Sequence, residues 1–239
     1  MQDEITKHTK KIFHTMKHEK FTLGEKVKEI IIEVGIIVFA VSLSIWLHGW
    51  SEHRHQQEEV HQFLVGLKSD LNATIESAQG AGDIYKKAET RFLFLSKLSS
   101  KQKSNSDSLN IYFNEYQLSP NFQSNASRYE GFKSSGKIGL IENEVLQQGI
   151  LNFYQQDLPT YYTTTNAWNN QRHTLHDFVT DNLVENENGT DNRFQVLTMP
   201  KAHNLCKNLI PWPQLFERNE TIIENATLLI AEIDKVIKE

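Results

Sequence analysis

The stretch IIIEVGIIVFAVSLSIWL, from Ile30 to Leu47, decides the architecture of this chain. It contains one charged residue, Glu33, and its apolar side chains cover every face of a helix rather than one stripe. At ~1.5 Å per residue, such a helix is about 27 Å long, which is enough to cross the hydrocarbon core of a bilayer. The stretch therefore predicts a transmembrane helix, to which we assign residues 30–50.

A soluble core helix and a cleaved signal peptide are the alternatives to a membrane span here, and both fit less well. The core helix of a soluble domain would carry polar side chains along one face, and this stretch does not. A cleaved signal peptide would have a short basic region before it, whereas about thirty residues precede Ile30, and the pair Ser42 and Ser44 is a poor cleavage signal. We therefore expect an uncleaved anchor.

Positive charge lies on one side of the predicted span. Arg54 is the only Lys or Arg among residues 51–67, whereas the residues before the span carry a set of lysines: Lys7, Lys10, Lys11, Lys17, Lys20, Lys26 and Lys28. The positive-inside rule then predicts a cytoplasmic tail over residues 1–29 and an external domain over residues 51–239. Within the tail, apolar residues interleaved with lysines fit either an amphipathic helix on anionic lipid or a mobile segment: Ile5, Ile12, Phe13 and Met16.

Three residues of the span are candidate contacts with lipid or with a partner. Trp46 and Trp50 lie at its outer end, where indole rings prefer the headgroup region. Glu33 lies near the cytoplasmic end, and a carboxylate in hydrocarbon costs a few kcal/mol unless it reaches water or a partner. The sequence leaves two roles open for Glu33, snorkelling to the interface and contact with another membrane subunit.

The composition is that of a folded protein with no nucleic-acid partner. The chain has 239 residues, of which 38% are hydrophobic and 23% are charged, as in ordinary globular domains. Its formal net charge of -5 argues against a nucleic-acid partner, which would favour a basic surface. The single cysteine, Cys206, cannot form an internal disulfide bond.

The external domain shows helical periodicity and no comparable strand alternation. After Trp50, apolar residues recur at threes and fours: Val60, Phe63, Leu64, Leu67, Leu71, Ile75 and Ala78. This pattern predicts an amphipathic helix continuous with the span, with a kink or break at Gly80 and Gly82 before the stripe resumes over residues 84–98. The polar run from Ser99 to Ser108 predicts a loop.

Three further helical segments follow in the sequence. One is expected from Leu140 to Asp157, another from Pro159 towards the stop at Asn188 and Gly189, and the last over residues 215–236. Four amphipathic segments joined by loops predict an all-α fold, in which the transmembrane helix precedes an up-and-down helical bundle with coiled-coil-like helices.

Two stretches carry a resemblance to a known family. The first runs from Glu33 to Glu52 and continues through Phe63-Leu64 to Leu67-Lys68-Ser69-Asp70-Leu71, and the second is YEGFKSSGKIGLIENE, residues 129–144. Together they resemble a family of uncharacterised bacterial membrane proteins with one N-terminal span. The resemblance implies an inner-membrane anchor with a periplasmic helical domain, and it implies no known activity.

The second stretch also matches two catalytic patterns in part. Residues 131–137, GFKSSGK, have the glycine and lysine spacing of a phosphate-binding loop, but Ile138 stands where Ser or Thr would hold magnesium, and no strand precedes it. Ser134 and Lys137 have the spacing of a penicillin-binding nucleophile, but its companion motifs are absent. We interpret both as a helix ending near Gly136, with the next helix beginning near Leu140.

Two groups of side chains have metal-ligand spacing. His173 and His176 lie one helical turn apart, as do His203 and Cys206, so the two pairs would form a tetrahedral site if they met. A second group follows the span on one helical face: His48, Glu52, His55 and Glu59, with His53 and His61 nearby. Nothing in the sequence brings the two pairs together, so we assign no metal and no other cofactor, and expect Cys206 to be a small buried residue.

The aromatic residues Tyr161, Tyr162, Trp168 and Trp212 fit either the lining of a ligand cavity or the core of the bundle. We therefore expect a non-catalytic membrane-anchored scaffold or accessory subunit. Its partners are membrane lipid and either another protein or a second copy, contacted through the span and the helix over residues 51–79. The alternatives are a ligand-sensing helical domain and, third, a metal-binding or enzymatic protein.

Overall fold

The computed structural model describes residues 23–101 and 107–238, and the fold over these ranges is all-α. The only strand-type pairing within these ranges is an isolated antiparallel bridge between Glu185 and Asp191. The predicted fold class is therefore confirmed. The tail residues for which the sequence left an amphipathic helix and a mobile segment open, Ile5, Ile12, Phe13 and Met16, lie outside the described residues. The helices are α1 (Leu23–Leu95), α2 (Asp107–Glu115), α3 (Ser127–Ser134), α4 (Glu144–Asn152), α5 (Leu158–Asn182), α6 (Arg193–Leu197), α7 (Pro200–Asn208) and α8 (Pro213–Lys238), with a 3-10 turn at Lys137–Leu140 and a π-helical turn at Phe153–Asp157.

The chain divides into two compact units, one up to Glu58 and one from Glu59 onward. In the described part of the first unit, the helix is long and apolar enough to cross a membrane, and none of its most apolar window is buried within the protein. Large apolar side chains such as Ile31, Phe39 and Ile45 are about two-thirds exposed, at 65%, 67% and 68%. Exposing this surface to water would cost free energy, because burial of each methylene group contributes about 0.8 kcal/mol.

The second unit has a core built on a strict spacing of threes and fours. In α1 one seam of buried positions alternates in steps of four and three: Val60, Leu64, Leu67, Leu71, Thr74, Ala78, Ala81, Tyr85, Ala88, Phe92 and Leu95. Phe63, Asp70, Gly82 and Arg91 are buried beside this seam. The alternation of four and three is the heptad spacing that keeps one seam of a helix facing its neighbours. The predicted apolar stripe is therefore confirmed, and it is covered by other parts of the same chain.

Helices α5 and α8 carry the same spacing. The buried positions of α5 are Leu158, Tyr161, Thr165, Trp168, Arg172, Leu175 and Val179. Those of α8 are Leu215, Asn219, Ile222, Ala226, Leu229 and Ile233. The second unit is thus organised around three long helices whose inward faces are marked by one common pattern.

Contacts between these three helices fix their directions. Lys68 pairs with Asp234, and the rings of Tyr85 and Phe216 lie 6.1 Å apart, so α8 runs antiparallel to α1. Tyr85 bonds Thr165, and the Phe92 ring lies 6.3 Å from that of Trp168, so α5 runs parallel to α1. A parallel neighbour requires a return connection between α1 and α5. The shorter elements α2 and α3 provide it.

The sequence predicted a kink or a break at Gly80 and Gly82, and the structure excludes the break, because α1 continues through both residues. A glycine inside a helix costs only about 1 kcal/mol relative to alanine, and the buried seam on either side outweighs that cost. Gly82 has a packing role, since a Cβ there would lie 2.9 Å from Asn219 Nδ2 of α8. The glycine thus permits close approach of the two helices.

The predicted helix boundary at Pro159 is also wrong, because α4 and α5 form one helical run joined by the π-helical turn. At the end of that turn the Leu158 amide bonds the carbonyl of Phe153, five residues back. Pro159 follows in the first turn of α5, and such local changes of helical register are typical of sites that accommodate proline. The expected four segments are therefore three long core helices.

Other boundaries follow the sequence more closely. α3 ends at Ser134, and Gly136 has the left-handed φ of 75° that terminates a helix, as expected for the GFKSSGK stretch. The predicted loop after Ser99 is a turn as far as Lys101, but α2 already begins at Asp107. The last predicted helix is confirmed as α8, whereas the short helices α2 and α6 were not anticipated.

Candidate functional site

The three candidate membrane residues lie on the exposed surface of the first unit. Trp46 and Trp50 are 64% and 52% exposed, and the guanidinium of Arg54 lies 5.1 Å from the ring of Trp50. Glu33 is half-buried. The hydroxyl of Ser44 donates to the carbonyl of Ala40 at 2.9 Å, so this polar group is satisfied within the helix. Such bonding suits a helix surrounded by hydrocarbon.

The histidine-rich segment after the span forms pairs of another kind. Glu52 accepts a hydrogen bond from Gln56, and Glu59, in the second unit, pairs with Lys137 at 2.8 Å. Over the described residues no group of three or more His, Cys, Asp or Glu side chains is placed to hold a metal ion. These carboxylates therefore act as hydrogen-bond and ion-pair partners in the structure.

The pairs His173/His176 and His203/Cys206 are not gathered into one site. His176 Nδ1 lies 3.0 Å from the hydroxyl of Tyr116, whereas His173 is exposed on the next turn of α5. Cys206 is fully buried in the core, and this burial raises the pKa of its thiol to about 12. A thiol with that pKa is a poor metal ligand and a poor nucleophile at neutral pH. The expectation of a buried structural cysteine is confirmed.

Two of the aromatic residues of α5, Tyr161 and Trp168, belong to the core, whereas Tyr162 is 36% exposed. Trp168 is fully buried, and its indole Nε1 donates to the carbonyl of Leu209 at 3.1 Å. Tyr161 is also buried and donates to Asn219 Oδ1 at 3.0 Å, while the neighbouring Tyr85 bonds Thr165 at 3.0 Å. Burial raises the pKa of both tyrosines, so both stay protonated and keep these bonds at physiological pH. This buried polar network fixes the register of three helices.

The two stretches that carry the family resemblance meet in space. We call residues 123–137 the return segment, because they run back along α1 in the antiparallel direction. Phe63 and Phe132 stack with centroids 3.9 Å apart, and Arg128 Nε donates to Asp70 Oδ2 at 2.9 Å. Asn125 donates to the other oxygen of Asp70 at 3.2 Å. The stacked pair of Phe63 and Phe132 thus joins the two stretches, and Asp70 holds Arg128 and Asn125 just before the second one.

Three further contacts complete this attachment. The amide of Gln123 donates to Ser77 Oγ at 2.7 Å, and the hydroxyls of Thr74 and Ser124 lie 3.1 Å apart. Gly66 allows the guanidinium of Arg128 to lie against α1, since a Cβ at Gly66 would come within 2.3 Å of Arg128 Cζ. A groove of about 390 Å³ opens beside Arg128, Phe132 and Lys137. The sequence alone did not reveal these pairings.

The geometry also accounts for the partial catalytic matches in the return segment. Lys137 pairs with Glu59 rather than with Ser134, and Ser134 is exposed. Ser135 Oγ donates to the carbonyl of Phe132 at 2.8 Å, as a hydroxyl near a helix end commonly does. No strand precedes this segment in the part of the chain that the structure describes. Glycine, serine and lysine here end a helix and attach it to α1.

A second cleft lies between α2 and α5. It has a volume of about 280 Å³, and Tyr116 and His176 meet at its wall. Burial raises the pKa of Tyr116, while its bond from Gln117 and the nearby charge of Arg172 act in the opposite direction. Close by, Arg91 is 1% exposed and pairs with Glu115 at 3.0 Å through a single nitrogen. The polar groups of this region thus converge around α2.

Comparison of the chain with protein family models, with curated proteins and with solved structures gives no match. The family resemblance of the two stretches therefore stays a prediction, and function has to be argued from the geometry.

Proposed function

We propose that this protein is a non-catalytic, membrane-anchored scaffold or accessory subunit that holds a partner at the membrane. The observation that carries the proposal is the apolar helix of the first unit, whose large side chains are all exposed over a length sufficient to cross a bilayer. Lipid is the simplest cover for such a surface, since a continuous apolar patch of this size is rare on soluble proteins.

The second unit supports a binding role rather than catalysis. Its clustered polar side chains stabilise the fold: Asp70 holds Arg128, Glu59 holds Lys137, and Tyr161 holds Asn219. The seam of α1 is covered by the chain itself, so a partner is expected on the remaining surface or on the span. Within residues 51–79 we therefore expect the partner to contact the outward side of α1, where Val65 is 49% exposed.

We place the protein in the bacterial inner membrane, with a cytoplasmic N-terminus and a periplasmic second unit. The lysines before the span and the family resemblance support this topology. A reporter that is active only outside the cytoplasm should work when fused after Glu239. Activity of the same reporter only when fused before Met1 would invert the topology.

The scaffold role is tested by purification in mild detergent after cross-linking in native membranes. A photoreactive residue at Val65 should give a discrete cross-linked species, and one at the buried Leu67 should not. A strictly monomeric protein, with no cross-link from Val65 or from Trp46, would contradict the proposal. Identification of the cross-linked band by mass spectrometry distinguishes a second copy from a different protein.

Ligand sensing is the second candidate function, favoured by the cleft between α2 and α5. The sequence left both a cavity lining and the bundle core open for Tyr161 and Trp168, and both residues lie in the packed core, so a ligand would occupy the cleft instead.

A further inference from the structure

The cleft between α2 and α5 is lined by apolar and polar side chains in similar proportion, and such a lining can contact the apolar body of a small molecule and orient its polar group. Its volume is about 280 Å³, just below the range of roughly 300–1,000 Å³ that is usual for drug-sized ligands, so it fits a small molecule. The residues that line it are Phe113, Asn114, Tyr116, Gln117, His176, Val179, Thr180 and Leu183.

A series of hydrogen bonds determines which ring nitrogen of His176 carries the proton. Gln117 Nε2 donates to the hydroxyl oxygen of Tyr116 at 3.2 Å, and an amide nitrogen can only donate. The tyrosine proton is therefore directed to His176 Nδ1, which lies 3.0 Å away. Neutral His176 then carries its own proton on Nε2, because the other nitrogen accepts.

The surroundings of Tyr116 favour this series of hydrogen bonds. Tyr116 is 3% exposed, so its side chain is almost wholly enclosed by the protein. Arg172 holds the backbone just after Tyr116, since Arg172 Nη1 donates to the carbonyl of Gln117 at 2.8 Å. Arg172 is itself buried, and it adds positive charge behind Tyr116.

We propose that this cleft binds a small apolar molecule that carries a carboxylate. The apolar body contacts Phe113, Val179 and Leu183, and the carboxylate accepts a hydrogen bond from Nε2 of His176. The positive charge of Arg172 favours a carboxylate over an amine at this place. All these residues lie beyond Glu58, so the inference does not depend on membrane anchoring.

Benzoate is the probe that tests the site, with benzylamine as the matched control of opposite charge. Binding of each to the purified full-length protein in detergent is measured by saturation-transfer NMR titration. We expect saturable binding of benzoate and none of benzylamine. His176→Phe should weaken benzoate binding roughly tenfold, as expected for the loss of one hydrogen bond to a charged group. His173→Phe, on the exposed neighbouring turn, should leave it unchanged.

A second pair of variants keeps the test decisive if His176→Phe disturbs folding. Tyr116→Phe removes the hydroxyl that holds His176, whereas Tyr112→Phe removes one outside the cleft. Only the former should weaken benzoate binding and shift the ¹⁵N resonances of His176 away from those of a ring protonated on Nε2. Equal binding of both probes, or benzoate binding that neither Tyr116→Phe nor His176→Phe changes, would overturn the proposal.

Discussion

The same long helix contains two regions with opposite relations to their surroundings. In the first unit, Phe39 and Ile45 are about two-thirds exposed, at 67% and 68%, whereas in the second unit Leu64 and Leu71 of α1 are fully buried. The residue types are alike, so composition does not separate the regions. The difference lies in pattern, because apolar side chains cover every face of the first region and only one seam of the second.

This comparison shows which solvent each region is built for. A helix that is apolar all round has no polar face to present to water, and its backbone groups are satisfied within the helix, as a bilayer requires. A helix with a single seam needs neighbouring helices, which α5 and α8 supply in the second unit. The following predictions test this separation, beginning with the largest expected effect.

Truncation of a seam residue should destabilise the second unit strongly. Leu67 is fully buried, and replacing a buried leucine by alanine costs about 2–5 kcal/mol. Leu67→Ala should therefore lower the free energy of unfolding by that amount, measured by urea denaturation of the detergent-solubilised protein with tryptophan fluorescence. Leu43→Ala, in the apolar region, is the control and should leave the unfolding midpoint of the second unit unchanged. Equal losses from both changes would contradict the separation.

A charge should be tolerated in one region and not in the other. Lysine at the centre of a membrane helix costs about 2.5–3.5 kcal/mol on insertion scales. Val38→Lys should reduce the fraction of protein that resists carbonate extraction from membranes. Val65→Lys is the control, since Val65 is 49% exposed on the second unit and a lysine there can reach water. Unchanged extraction of Val38→Lys would argue against a transmembrane helix.

Attachment of the return segment should depend on a partly buried ion pair. Asp70 is 11% exposed at its side chain, and it accepts hydrogen bonds from Arg128 and Asn125. Asp70→Asn should lower the free energy of unfolding by about 1–3 kcal/mol, because Arg128 then loses its charged partner. Asp83→Asn breaks the exposed pair with Lys86 and should have almost no effect. If Asp70→Asn and Asp83→Asn lower the thermal unfolding temperature equally, Asp70 has no special role.

The sequence predicted the features that depend on local periodicity. The seam of α1 and that of α8 were predicted because a spacing of threes and fours directly reports one buried face. The break that the sequence allowed at Gly82 and the boundary expected at Pro159 were wrong because tertiary packing and a π-helical turn overrode local propensity. Local preferences of about 1 kcal/mol lose to the burial of several core side chains.

Pairings between distant residues were beyond the reach of the sequence. Asp70 and Arg128 are separated by 58 positions, and Tyr116 and His176 by 60. Each pair depends on how the chain returns along α1, which no local pattern encodes. The sequence offered His176 only as a candidate metal ligand, whereas in the structure its ring lies beside the hydroxyl of Tyr116. Only the packing of α2 beside α5 reveals that pairing.

The smallest predicted effect concerns pH, and it should be confined to the second unit. Burial raises the pKa of Cys206 from 9.0 to about 12, so the unfolded chain loses the thiol proton before the folded protein does. The stabilisation is complete below pH 9 and decreases as pH rises towards 12, which amounts to about 1 kcal/mol between pH 8 and pH 9.5. Cys206→Ala should remove the thiol's contribution to the pH dependence of the free energy of unfolding, measured by urea denaturation. This holds whatever the substitution does to stability at pH 7. The buried tyrosines, whose unperturbed pKa is 10.0, contribute in the same direction and mainly at higher pH, so the difference between the wild type and Cys206→Ala isolates the thiol. An identical slope in the wild type and in Cys206→Ala would mean that the thiol is accessible to water in the folded protein. In the apolar region from Ile30 to Leu47 no cysteine or tyrosine occurs, so carbonate resistance should stay constant over this pH interval.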